Sequence, residues 1–197
     1  MEKEVVKKRR DPLVIAFEVL YATIIIILGF FGIDYVVIAA FVLLIPYLIL
    51  LKRSRFIFHA LISFLVALTW MSIAKDFYGY GSDYFVAFGI NLFPMFAWAG
   101  GLFALYVLYL YINYHLKKKG FLKNLLLFVV IYWVLLIIAE TVAYHTFGIH
   151  NLATATYKGL PICNCLHVPT WIKIAYFSNG IIYFIICYLL NIERMRK

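Results

Sequence analysis

Six apolar runs, separated by short polar stretches, organise this chain of 197 residues. They cover approximately Leu13–Phe31, Asp34–Leu51, Phe56–Ala74, Tyr84–Ile112, Leu122–Ala143 and Lys173–Asn191. Each is close to or above the ~20 residues that carry a helix across a hydrocarbon core about 30 Å thick. Bilayer interiors satisfy backbone polar groups only within helices or closed barrels, and runs of this length select helices. The pattern therefore predicts an all-α, polytopic six-helix transmembrane bundle.

The polar positions give that bundle a direction. With the amino terminus threaded inside, 15 of the 18 Lys and Arg residues fall on one side. They form four clusters: Lys3 to Arg10, Lys52 to Arg55, Lys117 to Lys123, and Arg194 to Lys197. Only Lys75, Lys158 and Lys173 fall on the other side. An excess of basic residues in short loops marks the cytoplasmic side. The expected topology has both termini cytoplasmic, in the cell membrane. Residues 1–12 form a charged cap, 13–191 the membrane domain and 192–197 a basic tail. Composition agrees, with 66% hydrophobic and 14% charged residues and a mean hydropathy of +0.96. The net charge of +9 does not indicate nucleic acid, because it is dispersed over four clusters that suit anionic lipid headgroups.

Local features refine the spans. Pro12 suits the first turn of helix one, and Gly32 to Asp34 form a tight turn into helix two. The fourth run, at about 43 Å for a straight helix, is too long for a simple crossing. Pro94 is expected to kink it and leave its first turns along the outer interface. Ala97, Gly100, Gly101 and Ala104 have the spacing of a helix-packing seam. The outer loop, residues 148–172, is the longest connection, and its Leu152, Tyr157, Leu160, Ile162, Leu166 and Trp171 call for cover. It is expected to be structured and to fold back over the bundle, in part as a re-entrant hairpin.

Candidate chemistry gathers on that outer side. Glu140 lies near the end of helix five, where an ionisable group is a functional hypothesis by default. Tyr144 shares its helical face, His145 points elsewhere, and the three form the candidate catalytic group. Cys163, Cys165 and His167 alternate between Pro161 and Pro169, so an extended strand would put two sulfurs and an imidazole on one face. With His150 as a fourth ligand, they form a candidate cage for a zinc or copper ion. The alternatives are a strained disulfide, bridges to other chains, or simple packing. Lys173 or water is the bland partner for Glu140. Asp76 and Asp83 add carboxylates to the outer side. Deeper in, Glu18 and His59 are placed for a mutual hydrogen bond, while Asn91, Ser178 and Asn179 suit bonding between helices.

The chain lacks Cys-x-x-Cys, Cys-x-x-Cys-His, His-Glu-x-x-His and a phosphate-binding Gly-rich loop. Those absences argue against a dithiol redox centre, covalent haem, a zinc protease and ATP-driven chemistry. The reading that best fits is an enzyme or metal/redox protein acting on a membrane lipid or isoprenoid-like substrate at the outer end of the bundle. A small transporter or channel, and a structural or assembly protein, are the alternatives. Polar groups along a continuous path would favour transport. A pocket in which Glu140 and the histidines converge would favour an enzyme, and scattered polar groups, each satisfied locally, would favour a structural protein.

Overall fold

A computed structural model describes residues 12–80, 85–116 and 120–190. Within them six long helices follow in order: α1 (Pro12–Gly29), α2 (Ile33–Leu50), α3 (Arg55–Ala74), α4 (Leu92–Leu116), α5 (Phe121–His145) and α6 (Thr170–Leu189). All six are long and apolar enough to cross a membrane, which makes this a multi-pass membrane architecture. The charged cap, the basic tail, Lys117 to Lys119 and Asp83 lie outside the described residues.

The fourth run behaves differently from expectation. Its start is an antiparallel hairpin, β1 (Val86–Ala87) with β2 (Ile90–Asn91), and not an interfacial helix. Gly89, at φ 74°, supplies the left-handed residue its turn requires. Helix α4 then begins at Leu92, which puts Pro94 in the first turn, where it has no carbonyl partner to lose. Asn91 caps this start: its Oδ1 accepts the Phe93 amide at 3.1 Å.

Helix α4 is the hub of the bundle, packing against α2, α3, α5 and α6, while α6 also closes on α3 and α5. Helix α1 packs chiefly on α2 and stands at the periphery. At one end Trp70, Met71, Tyr78, Met95, Ile172 and Tyr176 form a core with Cys165, Leu166 and Val168 of the 148–172 loop. At the other end an aromatic core of Tyr106, Tyr109, Phe128, Tyr183 and Phe184 joins α4, α5 and α6. The outward faces remain apolar, as Leu13, Ile26, Leu122 and Ile174 illustrate, each more than 60% exposed. Such a surface is stable against hydrocarbon rather than water.

The two long connections lock together. Asn151 Nδ2 donates to the Phe77 carbonyl at 2.6 Å, and its Oδ1 accepts the Gly79 amide at 3.1 Å. The Leu152 amide donates to the Gly79 carbonyl at 2.6 Å. Asp34, buried at the start of α2, accepts the Phe85 amide at 3.2 Å and ties the hairpin to the bundle. Asn151→Ala removes both halves of the clasp and leaves a donor and an acceptor unpaired, at a cost of about 1–3 kcal/mol. Amide exchange at Gly79 should quicken by at least roughly tenfold, with exchange in α4 unchanged.

Candidate active site: a carboxyl in an aromatic cavity

At the clasped end a half-open cavity of about 400 Å³ lies between α4 and α5, with Tyr78, Tyr80, Ile149 and Tyr176 above it. Its wall is apolar and aromatic, contributed by residues such as Phe93, Trp98, Leu105, Tyr132 and Leu136. Glu140 is the one carboxylate among its lining residues, and no lysine, arginine or histidine joins it. Five residues separate Glu140 from the end of α5, about 8 Å along the helix axis. Among the described residues its carboxyl has neither a hydrogen bond nor an ion pair. A polar group in such walls is costly unless partnered, which leaves that bonding to whatever occupies the cavity.

Beside the carboxyl stands a directed chain of hydroxyls. Tyr78 Oη accepts the indole N–H of Trp70 at 3.0 Å and that of Trp98 at 3.4 Å. Its lone pairs being used, its own proton goes to Tyr176 Oη at 2.7 Å. Tyr176 then holds a hydroxyl proton for which no described protein group is the acceptor. Burial pushes the Tyr78 phenol well above the ordinary tyrosine range, and the nearby Glu140 charge acts in the same sense. Tyr78 is thus a permanent neutral donor within this chain. Tyr132 completes the wall, its hydroxyl donating to the Tyr176 carbonyl. Its ring lies so close to α6 that a side chain at Gly180 would place Cβ 2.5 Å from it.

The cavity opens sideways. Ala97, Gly101 and Ala104 of α4 are exposed on the bundle surface and form its floor. The same three residues line an apolar groove of about 590 Å³ on the other side of α4, against α1 and α2. Of the two glycines in this run, Gly100 meets a neighbouring helix, with Phe41 Cδ2 3.9 Å from where its Cβ would be, while a Cβ at Gly101 would meet nothing within 4 Å. The run expected as a packing seam thus meets α2 at Gly100 and is exposed at Ala97, Gly101 and Ala104.

The remaining sequence candidates have other surroundings. Tyr144 does not line the cavity; its ring is stacked between His150 and His167, at centroid distances of 4.2 and 5.0 Å. His145 Nε2 faces the Cys163 carbonyl at 2.7 Å, and His150 Nε2 faces the Tyr144 carbonyl at 3.1 Å. Both nitrogens of His167 face carbonyls, those of Tyr157 and Asn164. A neutral imidazole has one N–H, and the nitrogen that donates it to a carbonyl has no lone pair for a metal. Cys163 and Cys165 are joined as a disulfide, with Cα atoms 5.1 Å apart. Asn164 and Leu166 take left-handed backbone there, at φ 44° and 56°. Among the described residues no group of three His, Cys, Asp or Glu side chains is gathered as a metal site. Together these bonds hold the loop over the bundle, and Cys165 and Leu166 are buried beneath it. Leu152, Tyr157, Ile162 and Trp171 instead remain exposed at its margin, which corrects the expectation that they are covered.

Other pairings also differ. Lys173 donates to the Lys158 carbonyl at 2.5 Å, and not to Glu140. Glu18 accepts from Tyr47 at 2.8 Å, while His59 faces Cys187 Sγ at 3.4 Å and stacks on Tyr106. The two do not meet, because α1 packs on α2 whereas His59 faces α4 and α6. Ser178 bonds back to Ile174 within its own helix, so it does not join helices. Asp76 is exposed on a short 3₁₀ turn.

The aromatic donors Trp70, Trp98, Tyr78 and Tyr176, and the anchor Asn151, were not singled out from sequence. Their signal was only an abundance of aromatic residues near one set of helix ends, which also marks ordinary interfacial belts. No family model, curated protein or solved structure matches this chain.

Proposed function

We propose that this protein is a membrane-embedded enzyme whose substrate is a lipid or isoprenoid-like molecule admitted sideways into the Glu140 cavity. The observation that carries the proposal is a carboxyl with no partner among the described residues, in an aromatic cavity open to the apolar flank of the bundle. Glu140 is the acid/base, Tyr176 supplies a polarised hydroxyl, and the 148–172 loop shields the site. In this reading the chain crosses the cell membrane six times, with both termini on the cytoplasmic, basic side and the clasped end outside. A transport path has less support, because Glu18 and His59 are each satisfied locally and lie apart from the cavity. The histidines do not converge on Glu140, so the acid/base role rests on the carboxyl and the tyrosines.

The test is photocrosslinking with a diazirine-bearing isoprenoid in nanodiscs, mapped by peptide mass spectrometry. Labels should concentrate on residues 93–108 and 132–143. Gly101→Phe should reduce them at least about fivefold, since a Cβ at Gly101 meets nothing within 4 Å and a ring there fits the fold while obstructing the floor. Uniform labelling of all six helices, or labelling indifferent to Gly101→Phe, would sink the reading.

A further inference from the structure

We propose that the cavity is built to hold a positive charge on a hydrocarbon, and that its substrate is an unsaturated isoprenoid chain transiently protonated by Glu140. This rests on the lipid-site reading above and specifies its chemistry. The polar complement of the cavity is selective in sign. Among the described residues it offers one carboxyl and the rings of Tyr78, Tyr80, Phe93, Trp98, Tyr132 and Tyr176, and no cationic side chain. A phosphate or carboxylate headgroup would have no basic partner there. Ring faces attract cations through their quadrupole, and they do so most strongly where water is excluded. A carboxylate adds a full negative charge. The combination is complementary to a cation surrounded by hydrocarbon.

The floor of Ala97, Gly101 and Ala104 leaves room for a chain to lie across α4 with its reacting portion beneath the rings. The groove beyond, against Tyr21 and Phe41, extends the same apolar track.

The chemical step balances within the site. The Glu140 carboxyl gives its proton to one carbon of a C=C bond, forming a C–H bond from the π pair and leaving the adjacent carbon cationic. A second double bond of the chain can donate its π pair to that carbon, closing a ring and moving the charge. Loss of a proton from a neighbouring carbon to the Glu140 carboxylate then forms a new C=C bond. The product is an isomer of the substrate, Glu140 regains its proton, and no oxidant or reductant takes part. The aromatic faces stabilise the charge where it develops, as transition-state complementarity requires.

The experiment compares two ligands of one shape in phosphatidylcholine nanodiscs: an isoprenoid chain ending in trimethylammonium, and its neutral tert-butyl isostere. Each competes against the crosslinking isoprenoid on the wild type and on Glu140→Gln. The ammonium should bind at least tenfold tighter than the isostere, a difference of about 1.4 kcal/mol. Glu140→Gln should erase most of that preference while retaining the isostere, whose equal binding to both proteins also reports an intact cavity. Equal affinity of the two ligands for the wild type would overturn the charge assignment and leave the lipid-site reading standing. Failure of both to displace the crosslinker would overturn both readings.

Discussion

Replacing Glu140 with glutamine is expected to abolish proton transfer to a bound isoprenoid, by about 10²–10⁴-fold. The measurement is carbon-bound deuterium acquired by an all-trans isoprenoid polyene incubated with the protein in heavy water. Glutamine keeps the size and polarity of the side chain, so the cavity and its lining stay in place, but the amide has no proton to give at useful acidity. The effect should be large because, among the described residues, no other carboxyl or imidazole lines the cavity. Glu140→Asp should retain a fraction of the exchange, since the acid survives but its reach is shortened by one methylene. The Trp70→Phe variant bears on the neighbouring hydroxyls. Removing the 3.0 Å indole bond frees a lone pair on Tyr78 and loosens the direction of the Tyr176 proton, with a smaller loss than at Glu140. Wild-type exchange retained in Glu140→Gln would show that Glu140 is not the acid.

The second large effect is expected at Gly180, on stability. Helices α5 and α6 approach closely enough for the Tyr132 ring to occupy the space where a side chain would start, with three ring atoms 2.5–2.7 Å from an added Cβ. Close approach through small residues is a principal means by which helices associate in lipid, where apolar surface gains little by leaving its surroundings. Gly180→Leu must displace a ring that is only 4% exposed and whose hydroxyl is bonded to the Tyr176 carbonyl. Overpacking of this kind costs about 1–3 kcal/mol, and the lost hydrogen bond adds to it. Thermal unfolding in detergent should show a clearly lowered midpoint. Because Tyr132 and Tyr176 both line the cavity, isoprenoid crosslinking should fall as well. Gly101→Leu is the matched control, being on an open surface, and its melting temperature should stay close to that of the wild type.

The loop between α5 and α6 illustrates how one set of residues supports different readings at different levels. In sequence, Cys163, Cys165 and His167 alternate as ligands on a strand would. In three dimensions the chain takes left-handed turns at Asn164 and Leu166, so alternation no longer sets direction. The sulfurs bond to one another, and the imidazoles face carbonyls contributed by Tyr144, Tyr157, Cys163 and Asn164. Gly159 is part of this arrangement, since a Cβ there would lie 2.9 Å from the Cys165 carbonyl oxygen. Expectations drawn from regular geometry lose their basis where the backbone is irregular.

What the sequence by itself determined is the membrane architecture: six helices, the approximate limits of all but the fourth, and the Glu140 position near a helix end. These follow from the lengths of apolar runs and from Pro and Gly placement, which act locally and are written in consecutive residues. The tertiary structure alone decided what surrounds each polar group. Lipid-facing and protein-facing apolar positions look alike in a membrane sequence, so periodicity could not tell which face of α4 packs and which forms the floor of a cavity. Nor could it bring Tyr78, from a loop after α3, under the indoles of α3 and α4 and onto Tyr176 of α6. Those contacts join residues up to 98 positions apart, and close packing of particular helix faces, rather than any local preference, sets them.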